Sequence, residues 1–259
     1  MAGLFYPADR AELKAAVERN LSEASESQDS SVLRALVCPH AGYVYSGPIA
    51  AVAYKLLRKH VANGRGFRRV VVLSPAHRVG FRGIALPKVR AFATPLGEVP
   101  LSPALEALSK EVPFIVDDRP HAEEHAIEVQ LPFLQCVLGG FELLPLLFGA
   151  ELPGDPTTVL DGLLDDHTLF VVSTDLSHYL EYEDARRLDE RTLTHFLSLS
   201  ADDVARDDAC GRSPAAALLR IAKKRFWTVR RLDYRNSGDT AGDKRRVVGY
   251  AALSLTDSD

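Results

Sequence analysis

The fold prediction starts from one stretch of the sequence, Val37-Cys38-Pro39-His40-Ala41-Gly42-Tyr43. It closes a largely apolar run, 32–37, which is interrupted only by Arg34 and predicts a short buried strand. Pro39 lacks the N–H that a sheet ladder needs, so the strand is expected to end there. His40 then lies just beyond the carboxyl end of the strand, where open α/β sheets bind their ligands. A histidine in that position is a candidate metal ligand or catalyst.

Two further predicted strands end in the same way. One apolar run leads to Ser74-Pro75-Ala76-His77, and another leads to Thr174-Asp175-Leu176-Ser177-His178. Because the carboxyl ends of parallel strands meet at one edge of a sheet, these histidines are expected to share a crevice with His40. Imidazole and carboxylate together suit Fe(II), Zn(II) or Mn(II). Asp175 could instead cap the segment that follows it, and any single histidine could be a satisfied polar group.

The order of elements predicts one α/β domain over residues 1–259. Strands alternate with helices, and neither a composition break nor an internal repeat divides the chain. We therefore expect a three-layer αβα domain with a central, mainly parallel or mixed sheet. The sequence further predicts a helix at 47–60, an extended turn at 94–100 and a helix at 121–138 that Pro132 kinks or ends. It also predicts a long polar loop at 234–246, whose first part, 234–240, could be a lid over a pocket or a plain surface loop.

Composition excludes several classes of protein. Of the residues, 46% are apolar and 25% are charged, which is ordinary for a globular protein. The net charge of −4 gives no overall excess of positive charge for binding nucleic acid. Three cysteines do not make a disulfide framework and fit a reducing compartment. There is no signal-like segment and no apolar run long enough for a membrane span. A soluble, cytoplasmic protein is therefore expected.

Cys210 has a sequence context that favours reactivity. It lies just before a predicted helix start, Ser213-Pro214, and close to Arg212. A helix N-terminus and a nearby cation both stabilise a thiolate, which is the form that binds metals. A small buried thiol is the alternative interpretation. Cys38 and Cys136 lie in apolar surroundings and are expected in the core.

The segment His121-Ala122-Glu123-Glu124-His125 carries a second candidate pattern. If it is helical, His121 and His125 share a face. His-x-x-Glu-His is formally the inverted-zincin metallopeptidase pattern. Two other interpretations remain open, a solvated helix face and a face that offers an acid or base to a site built elsewhere.

Six segments together resemble the MEMO family, whose prokaryotic members are labelled AmmeMemoRadiSam system protein B. The resemblance implies an αβα fold similar to the catalytic subunit of class III extradiol dioxygenases, which use non-haem Fe(II). The segments occur in the family's order and span nearly the whole chain: Cys38 to Gly47, Leu73 to His77, Thr94 to Gly97, Glu124 to Pro132, Ser173 to His178, and Cys210 to Pro214.

The resemblance also implies a redox-metal site. Its ligands would be His40, His77 and Cys210, and the ion would be Fe(II) first, with copper or zinc as alternatives. The chain departs from some relatives at Arg78, where they carry a second histidine, and His121 is not a family position.

Three further residues are implied to lie in the same pocket, with catalytic roles: Asp175, His178 and His125. One hypothesis is therefore a non-haem-iron oxidoreductase of unknown small-molecule substrate. A second is a non-catalytic adaptor that binds a metal or a peptide in a radical-SAM-linked modification system, with AMMECR-type and radical-SAM proteins as partners. The third is the metallopeptidase.

Overall fold

The structure, a computed structural model, describes residues 1–27 and 31–258. Its main element is a mixed sheet of nine strands, accompanied by a separate two-stranded hairpin. In chain order the strands of the described residues are β1 Leu33–Cys38, β2 Arg69–Pro75, β3 Ile84–Leu86, β4 Ala91–Thr94, β5 Gly97–Pro100, β6 Phe114–Val116, β7 Glu142–Phe148, β8 Thr168–Ser173, β9 His178–Leu180, β10 Trp227–Asn236 and β11 Val247–Asp257.

The strand order brings the predicted strand ends together. Along the sheet it is β10-β11-β1-β8-β2-β7-β3-β6, with β9 paired to β11. The four central strands, β1, β8, β2 and β7, are parallel. β11 runs antiparallel to β1, and β3 runs antiparallel to β7. Because β8 lies between β1 and β2, the three turns that follow these strands are neighbours. The predicted mixed sheet is confirmed.

Helices cover both faces of this sheet, which confirms the three-layer αβα prediction. Val70 and Val72 of β2 pack into a core with the helices Arg10–Glu23, Tyr43–Ala62 and Leu131–Leu138, whereas Val71 and Leu73 pack into a second core with the helices Tyr182–Leu197 and Arg212–Lys224. The helices of the described residues are α1 Arg10–Glu23, α2 Tyr43–Ala62, α3 Ala104–Leu108, α4 Arg119–Ala122, α5 Leu131–Leu138, α6 Thr157–Asp161, α7 Tyr182–Leu197, α8 Ala201–Val204, α9 Arg212–Lys224 and α10 Ser237–Thr240.

The helix predicted at 121–138 is wrong as a continuous element. α4 ends at Ala122, a 3₁₀ turn occupies Glu128–Gln130, and α5 follows. Pro132 lies in the first turn of α5 and so begins that helix rather than ending one. The break has a physical cause, because the Glu124 carboxylate accepts the backbone N–H groups of residues 125 and 126, which a helix would bond to carbonyls.

Other boundaries also differ from the prediction. α2 begins at Tyr43 rather than at residue 47 and contains Pro48, because the Tyr43 N–H bonds the Phe5 carbonyl and fixes the start. The extended turn at 94–100 is instead part of the β4–β5 hairpin, whose Gly97 has a φ of 131°. Such a φ is open to glycine and closed to most other residues.

The polar loop predicted at 234–246 is largely regular structure. Its first residues finish β10, and Asn236 and Asp239 form a reciprocal capping box at the start of α10. Only 241–246 is an exposed connection. The segment is therefore anchored and offers no long lid. Within residues 1–27 and 31–258, no helix has the length and apolar character to cross a membrane.

Candidate metal centre

Three imidazoles converge above the carboxyl ends of the central strands. His40 follows β1, His77 follows β2, and His125 comes from the irregular segment between α4 and the 3₁₀ turn. Their ring centroids lie 5.1 Å apart for His40–His77, 5.3 Å for His40–His125 and 4.9 Å for His77–His125. One nitrogen of each lies within 4.8 Å of the other two, so among the described residues these histidines form a group able to hold a metal ion.

His40 is held in the tautomer that a metal ligand requires. The Ser173 hydroxyl donates its proton to the Ala126 carbonyl at 2.6 Å and accepts a bond from Gln130 Nε2 at 2.8 Å. It can therefore only accept from His40 Nδ1, which lies 2.9 Å away. The proton of His40 is on Nδ1, and the lone pair of Nε2 points into the site. Burial and the nearby histidines lower the pKa of His40 well below its usual value, which keeps the ring neutral.

Glu124 holds the second imidazole and the segment of the third. Its carboxylate accepts the His77 backbone N–H at 2.7 Å and lies 2.9 Å from His77 Nδ1. It also accepts the backbone N–H groups of His125 and Ala126, both at 3.0 Å. Burial works to raise the pKa of Glu124, but the bonds from His125 and His77 outweigh it and hold that pKa below its usual range. A carboxylate only accepts, so His77 Nδ1 is the donor and Nε2 of His77 is free to bind a metal.

His125 is the third imidazole of the group, and it contacts both Phe5 and Glu124. Phe5 stacks on this ring with centroids 4.3 Å apart. Nδ1 lies 3.1 Å from Glu124 Oε1, so the same carboxylate adjoins both His77 and His125. The resemblance implied a catalytic role for His125, whereas the geometry groups it with His40 and His77 as a candidate ligand.

Cys210 lies beside His40 rather than within the group of three. Its Sγ is 3.3 Å from His40 Nε2 and accepts the Asp175 backbone N–H at 3.2 Å. Burial, with a smaller contribution from the negative charge of Asp175, raises the pKa of the thiol to about 12. Of the two interpretations left open by the sequence, a thiolate and a small buried thiol, this favours the buried thiol in the metal-free protein. In the metal-free protein the S–H group can donate to His40 Nε2.

Asp175 supports the turn after β1. Its Oδ1 accepts the His40 backbone N–H at 2.8 Å, so it orients the backbone of His40 and not the imidazole. Burial raises the pKa of the Asp175 carboxyl to about 7, against the opposing effect of the His40 hydrogen bond. The side chain therefore sits close to its protonation midpoint at neutral pH.

The other two sequence candidates lie outside the group of three imidazoles. His178 begins β9, and its pKa is lowered by burial and by the nearby His77. His121 Nε2 lies 3.0 Å from the Ala85 carbonyl, and its ring faces the edge of Phe92. The chain is not helical between Ala122 and Glu128, so His121 and His125 do not share a helix face. The metallopeptidase interpretation loses its structural basis.

An open cleft of about 400 Å³ adjoins the centre. His77 and Cys210 both line it, and it runs from the end of β2 to the start of α9. This volume is within the range of small-molecule sites, roughly 300 to 1,000 Å³. A ligand in the cleft would therefore approach the imidazoles from the side of His77.

Sequence reasoning missed the residues that hold the imidazoles in place. The sequence pattern predicts Glu124 on a helix face, whereas its carboxylate binds two histidine segments. Ser173 and Gln130 lie in segments that carry the family resemblance, but the sequence assigns neither of them the role of holding His40. A polar residue at the end of an apolar strand, directly before the candidate turn, was the one available signal for Ser173.

Comparison with known proteins identifies the family of the chain. A family model described as Memo-like protein matches residues 1–254. A MEMO1 family protein of Thermoplasma acidophilum is 32% identical over 267 residues, covering 98% of this chain and 96% of the relative. A MEMO1 family protein of Methanopyrus kandleri is 35% identical over 277 residues, with the same coverage. One of Methanosarcina acetivorans is 34% identical over 270 residues. The chain therefore belongs to the Memo-like protein family.

Proposed function

We propose that this protein binds one transition-metal ion between His40, His77 and His125, with Cys210 as a further ligand, and uses it in oxidation–reduction chemistry on a small substrate. The observation that carries the proposal is the pair of hydrogen bonds behind the imidazoles. Ser173 and Glu124 fix the protons of His40 and His77 on Nδ1 and so leave the lone pairs of both Nε2 atoms available to a metal ion. Two histidines prepared in this way, with ring centroids 5.3 Å and 4.9 Å from that of a third histidine, His125, are unlike satisfied core histidines.

The distances fit a single ion. Metal bonds of about 2.1 Å to nitrogen and 2.3 Å to sulfur, at angles of roughly 90° to 109°, place the two ligand atoms about 3.1 to 3.6 Å apart. His40 Nε2 and Cys210 Sγ are 3.3 Å apart. Imidazole with thiolate suits Fe(II), copper or zinc and not the hard ions Mg²⁺ and Ca²⁺. Fe(II) is the proposed ion because the family resemblance implies it, with copper and zinc as alternatives.

A redox-active ion would supply one-electron chemistry and coordination positions open to substrate. The protein's own residues would handle protons. Asp175, with a pKa of about 7, can hold or release a proton at neutral pH beside the His40 turn. His178 is kept neutral by burial and lies near His77, so it can accept a proton. The free thiols of Cys38, Cys136 and Cys210 support a reducing compartment, and we propose the cytoplasm.

A non-catalytic adaptor is the second candidate, because large apolar side chains are exposed next to site residues in the sequence. Leu4 is 84% exposed and precedes Phe5, Val44 is 78% exposed, and Tyr179 is 64% exposed and follows His178. Such side chains could contact a peptide or a protein partner. The partners in this alternative are AMMECR-type and radical-SAM proteins.

Metal analysis of anaerobically purified protein tests the proposal. Wild-type protein dialysed against Fe(II) is expected to retain about one ion per chain, and His40→Ala or His77→Ala is expected to retain none. His121→Ala is the matched control, since its imidazole lies outside the group, and it should retain the ion. Loss with His121→Ala and retention with His40→Ala would contradict the proposal. Oxygen consumption by the Fe(II) form with a panel of catechols would distinguish an enzyme from an adaptor.

A further inference from the structure

The cleft beside the candidate metal centre carries positive charge that the proposed ligands do not explain. Arg78 follows His77 directly, and Arg212 is the first residue of α9, two residues after Cys210. Both arginines line the cleft together with His77 and Cys210. A molecule in the cleft would therefore lie between two guanidinium groups and the metal ligands.

Neither guanidinium is neutralised by a carboxylate within the described residues. Arg78 is exposed and forms no ion pair there. The hydrogen bond that the structure gives the Arg212 side chain runs from Nη1 to the Asp207 carbonyl at 3.1 Å. Most arginines on this protein are paired, for example Arg82 with Glu151 and Arg206 with Asp203. The two cleft arginines thus retain donors for a ligand, since each guanidinium has five N–H groups.

One acidic side chain, Asp208, also lines the cleft and opposes this charge. It leaves an excess of one positive charge among the charged residues of the lining, before any metal ion is counted. A bound cation would add to that excess. The electrostatics therefore favour an anion, and a planar guanidinium fork matches the two oxygens of a carboxylate or phosphate group.

We propose that the cleft is the substrate site of the metal centre and takes a small organic anion, whose carboxylate or phosphate group binds Arg78 and Arg212 while the rest of the molecule extends toward His77. The inference rests on the proposed function, because it gives that metal centre a substrate class. Arg78 is then a specificity residue for the anion.

Calorimetric titration of the full chain, metal-free and Zn(II)-loaded, with three probes tests the inference. Succinate represents the carboxylate, inorganic phosphate represents the phosphate, and succinamide is the uncharged analogue of succinate. We expect one or both anions to bind, more weakly as salt rises, and succinamide not to bind. The anion that binds more tightly identifies the group. Equal binding of succinamide would overturn the inference.

Variants separate the subsite from a general charge effect. Arg78→Gln is expected to weaken anion binding at least tenfold, because hydrogen bonds to charged groups are among the strongest. Arg78→Lys should restore part of it. Arg206→Gln removes one charge from an arginine outside the cleft and should bind as wild type. Equal affinities of Arg78→Gln and Arg206→Gln would overturn the inference.

Metal uptake measured on the same samples keeps the two proposals distinguishable. Arg78→Gln should take up Zn(II) like wild type while losing the anion, which would support the subsite. Wild type that binds no metal would refute the proposed function, whatever the anion titrations show. Wild type that binds metal but neither anion would refute the subsite alone.

Discussion

The substitution Glu124→Gln tests whether the Glu124 carboxylate holds the metal-binding imidazoles in place. The Glu124 side chain is 2% exposed and has two oxygens with different tasks. Oε1 lies within hydrogen-bond distance of His77 Nδ1, His125 N and Ala126 N, and Oε2 accepts the His77 backbone N–H. Glutamine keeps one oxygen and replaces the other with an NH₂ group. In either orientation, at least one buried N–H therefore faces another N–H group.

The substitution is expected to lower both the folding stability and the metal affinity. A buried donor left without an acceptor costs about 1 to 3 kcal/mol of folding stability. Loss of a carboxylate that orients a metal-binding imidazole typically weakens metal affinity 10- to 100-fold, which is about 1.4 to 2.8 kcal/mol. The neutral side chain also no longer holds the proton of His77 on Nδ1, so a fraction of the rings would present the wrong nitrogen to the ion.

Chelator competition under anaerobic conditions would measure the metal affinity, and urea unfolding of the metal-free protein would measure the stability. Glu123→Gln is the matched control, since Glu123 is the exposed neighbour in the sequence and makes none of these bonds. We expect the control to match wild type in both assays. Metal affinity of Glu124→Gln within twofold of wild type, with the fold intact, would refute the role assigned to Glu124.

Three further predictions concern other parts of the structure. Because burial raises the pKa of the Cys210 thiol to about 12, metal coordination by the sulfur at neutral pH must displace its proton. Calorimetry of metal binding in several buffers should therefore show about one more proton released by wild type than by Cys210→Ser. Equal proton release would mean that the sulfur does not bind the metal. Phe5→Ala removes the ring stacked on His125 and should weaken metal binding by about 2- to 10-fold, as measured by Co(II) titration. Unchanged affinity would mean that the stacking does not contribute to metal binding. Gly249→Ala would place a Cβ against the buried Asp189 carboxylate and should lower the free energy of unfolding by about 1 to 3 kcal/mol, whereas Gly66→Ala, in open space, should change it little. Equal stabilities of the two variants in urea would contradict the close approach.

The sequence was sufficient to predict the fold and the meeting of His40 and His77. Long unalternating apolar runs predict central parallel strands, and the carboxyl ends of such strands meet at one edge. These rules need only local composition and topology. They do not specify which side chains at that edge contact one another. His178, which also follows a strand, is therefore expected in the same group but lies outside it.

The rest of the site depends on contacts that local rules do not contain. Glu124 acts on His77, which is 47 residues away in the chain, so its carboxylate looked like one face of a helix. The same contact breaks the helix predicted at 121–138. For Cys210 the sequence leaves a thiolate and a small buried thiol as alternatives. Burial by distant segments raises the pKa of the thiol to about 12 and so favours the second, and burial depends on tertiary packing that local rules do not contain.

An anomalous difference map from crystals of the Fe(II)-loaded protein, grown without oxygen, would test the central claim most directly. We predict a single iron peak among the three imidazoles, about 2.1 Å from the Nε2 atoms of His40 and His77 and about 2.3 Å from Cys210 Sγ. Iron bound elsewhere, or occupied imidazole sites with Glu124 and Ser173 turned away from the rings, would contradict the account.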